Sequence, residues 1–370
     1  MPRFDPYTSI QTELTACIDR YKRTKDESEI LEAARLIRSI NRYPTPTFDR
    51  EGEIDEVIKC IERDVSDCIT PTDKEGRHYY MKCRYLQGIT LCRHLFPEIV
   101  HVRRNRNAAS IHDSFNNDKS LVTALRFLFK DRPTCNAPQL HSVLGITMSN
   151  CFNTFPCMRM KAICELLCPP QGVVYDFSAG FGSRMLGCLS SRNDYTYIGV
   201  DPNRELHCNK RYQKLVELIQ ETFDRFPDVN GRIRQVQAHV ECIGSEDYRP
   251  RTLLNQVDLA FSSPPYWSRE YYTDDETQCY NKFPTLQEWL DGYVRETVVN
   301  IYALLKKGGL VAFNICDFGS VKYVDEWIKI VQQQGFKMIS IISAQKESRI
   351  GSGHDRTETK TEEIYVFKKL

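Results

Sequence analysis

Several features are scarce or missing in this chain of 370 residues. No run of 18 or more apolar residues occurs, so no membrane-spanning helix is expected. The stretch from Met1 to Pro6 lacks the apolar core of a secretory signal, which points to an intracellular, reducing compartment, cytoplasm or nucleus. Neither sign of charge dominates: 50 Lys+Arg against 49 Asp+Glu leave a formal net charge of +1. That balance excludes a strongly basic or acidic whole, but it is neutral on nucleic acid, which asks only for a local basic face. No Cys-x-x-Cys pair occurs, although the chain has 15 cysteines, an odd number. Several of them (Cys164, Cys168, Cys188) lie in apolar helical stretches and read as reduced packing residues. Neither a disulfide framework nor a metal site is expected.

What is present begins with hydrophobic content of 41% and charged content of 27%, the balance of a soluble globular protein. Residues 257–267 read Val-Asp-Leu-Ala-Phe-Ser-Ser-Pro-Pro-Tyr-Trp. The apolar run predicts a short buried strand of a parallel sheet. It ends at Ser263-Pro264-Pro265-Tyr266, where two prolines fix φ and push their predecessors to extended backbone. Ligands of open α/β sheets bind at that end of a strand. The Ser263 side chain and the Pro264 carbonyl could accept both protons of a planar amine, with Tyr266 stacked on its ring. A Pro-Pro turn with an aromatic plug is the structural alternative.

Residues 173–184 read Val-Val-Tyr-Asp-Phe-Ser-Ala-Gly-Phe-Gly-Ser-Arg. They predict a strand, a turn built on Asp176, Ser178, Gly180 and Gly182, and a helix start. A second strand ends at Asp201, about twenty residues past the glycines, where an acid binds ribose hydroxyls. This unit points to a nucleoside cofactor.

Together the two stretches resemble the S-adenosylmethionine-dependent amino-methyltransferases of DNA, which act on adenine N6 or cytosine N4. The resemblance covers about residues 150–370, and the wording around the motifs is most like methylases of phages and other mobile DNA. Phe177 departs from the proline common there. The resemblance implies a Rossmann-like α/β fold with a seven-stranded sheet, S-adenosyl-L-methionine as cofactor, and Ser263, Pro264, Pro265 and Tyr266 as the catalytic loop. Serine at the first position leans towards cytosine N4. It also implies that the segment before the glycine loop packs on the cofactor, with Phe152, Asn153 and Phe155 as candidates or core. Glu246 and Asp247, after the third strand, are candidates for the adenine amine or solvated acids. Double- or single-stranded DNA is the expected partner. RNA, a protein glutamine, or an inactive fold used as a binding subunit are the alternatives, and the oligomeric state is open.

Taken in order, residues 1–148 read as a mainly helical region and 149–370 as the methyltransferase domain. Helical spacing recurs over 7–40 and Glu53 to Cys68. Arg103, Arg104 and Arg106 form the most basic cluster and are candidates for nucleic-acid contact, as are Trp267 and Arg269. Ser110 to Asp118 reads as a polar loop entering the cleft. Ser268 to Glu276 reads as a cap on the site, and Ser348 to Arg356 as a basic loop between the last two strands.

Overall fold

A computed structural model describes residues 5–45, 47–147, 154–227, 231–345 and 361–370. Within it the chain forms two units that interleave in sequence. One comprises residues 1–55, 90–153 and 270–273, the other residues 56–89, 154–269 and 274–370. A single cut after residue 148 therefore does not separate them.

The first unit is helical because its apolar residues recur every three or four positions. Leu14, Cys17 and Ile18 in Gln11–Thr24, Ile30, Ala33 and Ile37 in Ser28–Ile40, and Leu121, Ala124, Leu125 and Leu128 in Asp118–Asp131 are all buried in one core. The expected polar loop 110–118 is instead mostly a helix, Ile111–Asn116. Ser110 Oγ accepts from the Asp113 N–H at 3.0 Å and Asp113 Oδ2 accepts from the Ser110 N–H at 2.9 Å, a reciprocal cap that commits both polar side chains.

The second unit is built on one sheet. Its strands among the described residues are β1 (Ile69–Pro71), β2 (His78–Met81), β3 (Val173–Asp176), β4 (Thr196–Val200), β5 (Gln237–Glu241), β6 (Val257–Ser262), β7 (Leu305–Asn314), β8 (Phe336–Gln345) and β9 (Thr361–Lys369). Their order is β1-β2-β8-β9-β7-β6-β3-β4-β5. From β5 to β7 every pairing is parallel, whereas β9 runs antiparallel to both β7 and β8. This is a Rossmann-like α/β fold with the expected seven strands after residue 150. The sequence reading missed β1 and β2, an antiparallel hairpin whose β2 adds parallel to β8. Residues read as the end of a helix running to Cys68 lie outside it: the helix Arg50–Glu62 stops, and β1 begins at Ile69.

β3 and β6 are short and nearly all buried, as strands covered on both faces are. β3 lies between β6 and β4, and the chain leaves it towards β4. The reversal of strand order therefore opens a crevice at the carboxyl ends of β3 and β6. Below it the sheet is braced tightly. A Cβ on Gly187, in the helix Ser183–Leu189, would lie 2.1 Å from the Cys157 carbonyl oxygen at the start of the helix Cys157–Leu167. Lys161 of that second helix is buried, and its ammonium donates to the carbonyls of Cys60, Ile61 and Arg63 at 2.8–2.9 Å. It thus caps the carboxyl end of Arg50–Glu62.

Two other expectations change in detail. The helix read over 203–226 is two, Arg204–Cys208 and Arg211–Arg225, parted at Lys210 with φ 54°. The helix read from Phe283 starts at Leu286 and winds as a π-helix over Trp289–Arg295. No helix among the described residues is long and apolar enough to cross a membrane.

Candidate active site

The glycine loop leaves β3 at Asp176, which is fully buried. Arg184 Nε and the Tyr197 hydroxyl both donate to Asp176 Oδ2 at 2.8 Å. The Ser262 hydroxyl at 2.8 Å and the Ser178 N–H at 3.2 Å donate to Oδ1. The expected cofactor ligand is thus engaged by four donors within the protein and has no exposed surface. It ties the end of β3 to Tyr197 of β4, to the end of β6 and to the helix Ser183–Leu189. Arg184 also donates to the Ser178 carbonyl. Burial opposes the Arg184 charge, and Asp176 beside it more than restores it, holding the guanidinium above its ordinary value.

The loop itself turns through Gly180 with φ 59° and Gly182 with φ 74°, left-handed backbone that suits glycine. A Cβ at Gly180 would find no atom closer than 3.8 Å, so that side of the loop is open. The Gly180 N–H donates to Asp201 Oδ2 at 2.7 Å, and the Asn203 N–H to Asp201 Oδ1 at 3.0 Å. Asp201 is half-buried at the end of β4. Burial raises its carboxyl above the ordinary value although these two N–H groups pull the other way. The Ser178 hydroxyl lies 3.1 Å from that of Tyr293. Beside the end of β4, a cavity of ≈ 170 Å³ is lined by Pro202, Ile243, Gly244, Glu246, Asp247 and Lys282, among others. There Lys282 Nζ donates to Glu246 Oε1 at 2.7 Å and Asp247 Oδ2 at 2.6 Å, so both candidate acids are paired. Of the candidates before the loop, Phe152 and Asn153 lie outside the described residues. Phe155 is buried, its ring 5.2 Å from that of Phe261 in β6.

Ser263 follows β6 directly and is half-buried, where the last four residues of that strand are buried. Asn314, the last residue of β7, donates from Nδ2 to Ser263 Oγ at 3.1 Å. The Ser263 hydroxyl also lies 3.2 Å from the Tyr266 hydroxyl. Pro264 is buried and Pro265 half-buried. Tyr266 corrects an expectation: the residue is only 6% exposed and belongs to the core, with the Arg269 guanidinium 5.2 Å from its ring centroid. No stacking face is offered. Instead its hydroxyl donates towards the Asn314 carbonyl at 3.0 Å and Glu362 Oε1 at 3.2 Å. Burial, with the Glu362 carboxylate nearby, holds the phenol well above its ordinary value, so it stays protonated. Trp267, half-buried with φ 44°, donates from Nε1 to the Phe283 carbonyl at 3.1 Å.

Asn314 and Glu362 were missed by the sequence reading. Asn314 had a signal, a polar residue closing an apolar strand. Glu362 had none, since it lies near the start of β9, far along the chain. Arg104 and Arg106 are exposed in the helical unit, and Arg103 there is half-buried and pairs through its backbone with Tyr271 at 2.9 Å. Among the described residues no group of three or more His, Cys, Asp or Glu is placed to hold a metal ion. The loop Ser348 to Arg356 lies outside the described residues.

Residues 257–370 match the model of a family described as DNA methylase, N6_N4_Mtase. No curated protein matches the chain. Similar solved structures include a TehB-like SAM-dependent methyltransferase from Corynebacterium glutamicum, 12% identical over 59% of this chain and 90% of that one, TM-score 0.33. TrmN from Thermus thermophilus is 15% identical over 57% and 48%, TM-score 0.33. The 1,6-didemethyltoxoflavin-N1-methyltransferase of Burkholderia thailandensis, with bound 1,6-didemethyltoxoflavin and S-adenosylhomocysteine, is 13% identical over 58% and 78%, TM-score 0.36. Over its last third, from β6 to the end of β9, this chain is therefore similar to the DNA methylase family.

Proposed function

We propose that the protein transfers a methyl group from S-adenosyl-L-methionine to the exocyclic amine of a base in DNA, with cytosine N4 favoured over adenine N6. The observation that carries this reading is the placement of Ser263. Its hydroxyl is held by Asn314 at 3.1 Å at the carboxyl end of β6, the strand that pairs with β3 and so lies beside the glycine loop. The family match over 257–370 begins with β6, includes Ser-Pro-Pro-Tyr, and supports DNA as the substrate.

The residues present fit the cofactor. Gly180 leaves its side of the loop open, Asp201 presents a half-buried acid for ribose hydroxyls, and Pro202, Ile243 and Gly244 give the adjoining cavity apolar walls for a base. Bound there, the cofactor supplies an electrophilic sulfonium methyl. The protein's part is placement. Ser263 Oγ and the Pro264 carbonyl accept the two amine protons and aim the nitrogen lone pair at the methyl. The same acceptors stabilise the N–H charge that grows during transfer. Trp267, not Tyr266, is the aromatic surface beside Ser263 for a base that is flipped out or already single-stranded. Arg269, and Arg104 and Arg106 of the helical unit, are proposed phosphate contacts.

The test is transfer of labelled methyl to double-stranded DNA, single-stranded DNA and RNA, with product nucleosides identified by mass. N4-methylcytosine or N6-methyladenine in DNA bears the reading out and names the base. Methylated RNA in its place moves the substrate. An absence of cofactor binding overturns the proposal.

A further inference from the structure

We propose that Glu362 is the terminal proton acceptor of a relay that runs from Ser263 through the Tyr266 hydroxyl. The inference rests on the methyl-transfer reading above and deepens it. The Tyr266 hydroxyl has one hydrogen and faces two groups that only accept, the Asn314 carbonyl at 3.0 Å and Glu362 Oε1 at 3.2 Å. In the 3.2 Å contact between Ser263 and Tyr266, serine must then be the donor. The Asn314 amide donates to Ser263 Oγ at 3.1 Å and occupies one serine lone pair. The remaining lone pair is left for the substrate amine. Three polar side chains thus fix the direction of one hydroxyl that the reaction uses, and the chain of donors ends on a carboxylate.

The balance is complete. As the amine nitrogen bonds to the methyl carbon, the carbon–sulfur bond breaks and its electron pair stays on sulfur. The new nitrogen then carries one proton too many. That proton passes to Ser263 Oγ, the serine hydroxyl proton passes to Tyr266, and the tyrosine proton passes to Glu362. Serine and tyrosine end neutral, as they began. Glu362 becomes a carboxylic acid and, being half-exposed, returns its proton to water. Glu362 does not touch the base; it acts through Tyr266.

Other groups face this carboxylate. The Cys316 thiol, beyond the end of β7, lies 3.1 Å from Glu362 Oε1. Arg269 reaches Cys316 at 3.6 Å and covers the Tyr266 ring. The Tyr323 hydroxyl donates to the Cys316 carbonyl at 2.7 Å. On the same strand, Glu363 is occupied by Ser343 and Thr361.

The experiment compares wild type, Glu362→Gln, Glu362→Asp and Tyr266→Phe in the full chain. Two readouts are taken: single-turnover methyl transfer to DNA against pH, and the Tyr266 ring carbon resonance in cofactor-free protein labelled with 13C-tyrosine, assigned through Tyr266→Phe. E362Q is expected to slow transfer by about 10²-fold, the scale of a lost proton acceptor. It should lose the acid limb of the pH profile, leave cofactor affinity unchanged, and be partly rescued in E362D. In the wild type the Tyr266 resonance should follow a carboxylate titration that E362Q lacks. Should E362Q not fold, Tyr266→Phe must lose the same limb. E362Q or Tyr266→Phe with wild-type rate and limb overturns the relay and leaves the methyl-transfer reading standing. A wild-type protein that methylates no nucleic acid overturns both.

Discussion

Arg184 and Asp176 form an ion pair with side chains 7% and 0% exposed, so neither charge has water to fall back on. Breaking such a pair from one side leaves a buried charge uncompensated, at a cost of about 3–5 kcal/mol. Arg184→Met should lose that much by denaturant titration, and the glycine loop should lose its cofactor affinity with it. Ser263→Ala should keep the fold and remove the proposed acceptor for the amine, so the rate should fall about 10²-fold with cofactor affinity unchanged. Asn314→Leu deletes the amide that orients Ser263, worth about 1.4 kcal/mol for one hydrogen bond, or tenfold in rate; a turnover assay beside a cofactor titration checks both. The motif residues were legible because glycine and proline turns announce themselves locally. Their roles were less so. Asp176 reads in sequence like a ligand, yet four donors from the glycine loop, the helix after it, β4 and the end of β6 engage it, and only the fold brings those together. Tyr266 reads like a stacking platform, yet partners on β7 and β9 turn it inward.

Helices and strands with a clear period were legible at the level of elements, because burying one face imposes that period. What escaped was set by distant partners. The four residues of β2, His-Tyr-Tyr-Met, carry little pattern of their own and become a strand only beside β8. Lys161 would be read as solvent-facing from its type, yet it satisfies three carbonyls at the end of a helix about one hundred residues earlier. Burial pulls its amine down to about 8, which still leaves it protonated and donating near neutrality. Lys161→Met strips those carbonyls of their donor, and at about 1 kcal/mol or more for each the loss should reach 3 kcal/mol. Gly187→Ala tests the neighbouring contact. Alanine favours a helix by about 1 kcal/mol, but a methyl 2.1 Å from a carbonyl oxygen forces two helices apart, so the net change should be destabilising. Thermal unfolding of both variants decides the signs.

Over the whole molecule, neutral charge balance leaves pH sensitivity to particular buried groups. His141 in the helical unit is one: burial, then the nearby Arg93, hold its imidazole down to about 3, with the Tyr43 hydroxyl 3.2 Å from Nδ1. The unfolded chain binds this proton near pH 6.5 and the folded one does not, so stability is full above that pH and is lost as pH falls towards 3. The slope is at most about 1.4 kcal/mol per pH unit for one group. His141→Phe should flatten this part of a stability–pH curve measured by circular dichroism. The β1–β2 hairpin has a consequence in time. Synthesis releases it well before the β8 strand that holds it and the β9 strand that holds β8, which lie about 250 residues or more further along. Until then its edges are open to other chains. Three-residue β1, ending in Pro71, blunts only the outer one. Contacts so distant along the chain close last and slowly, so the nascent protein is most prone to aggregate just before its last strands emerge.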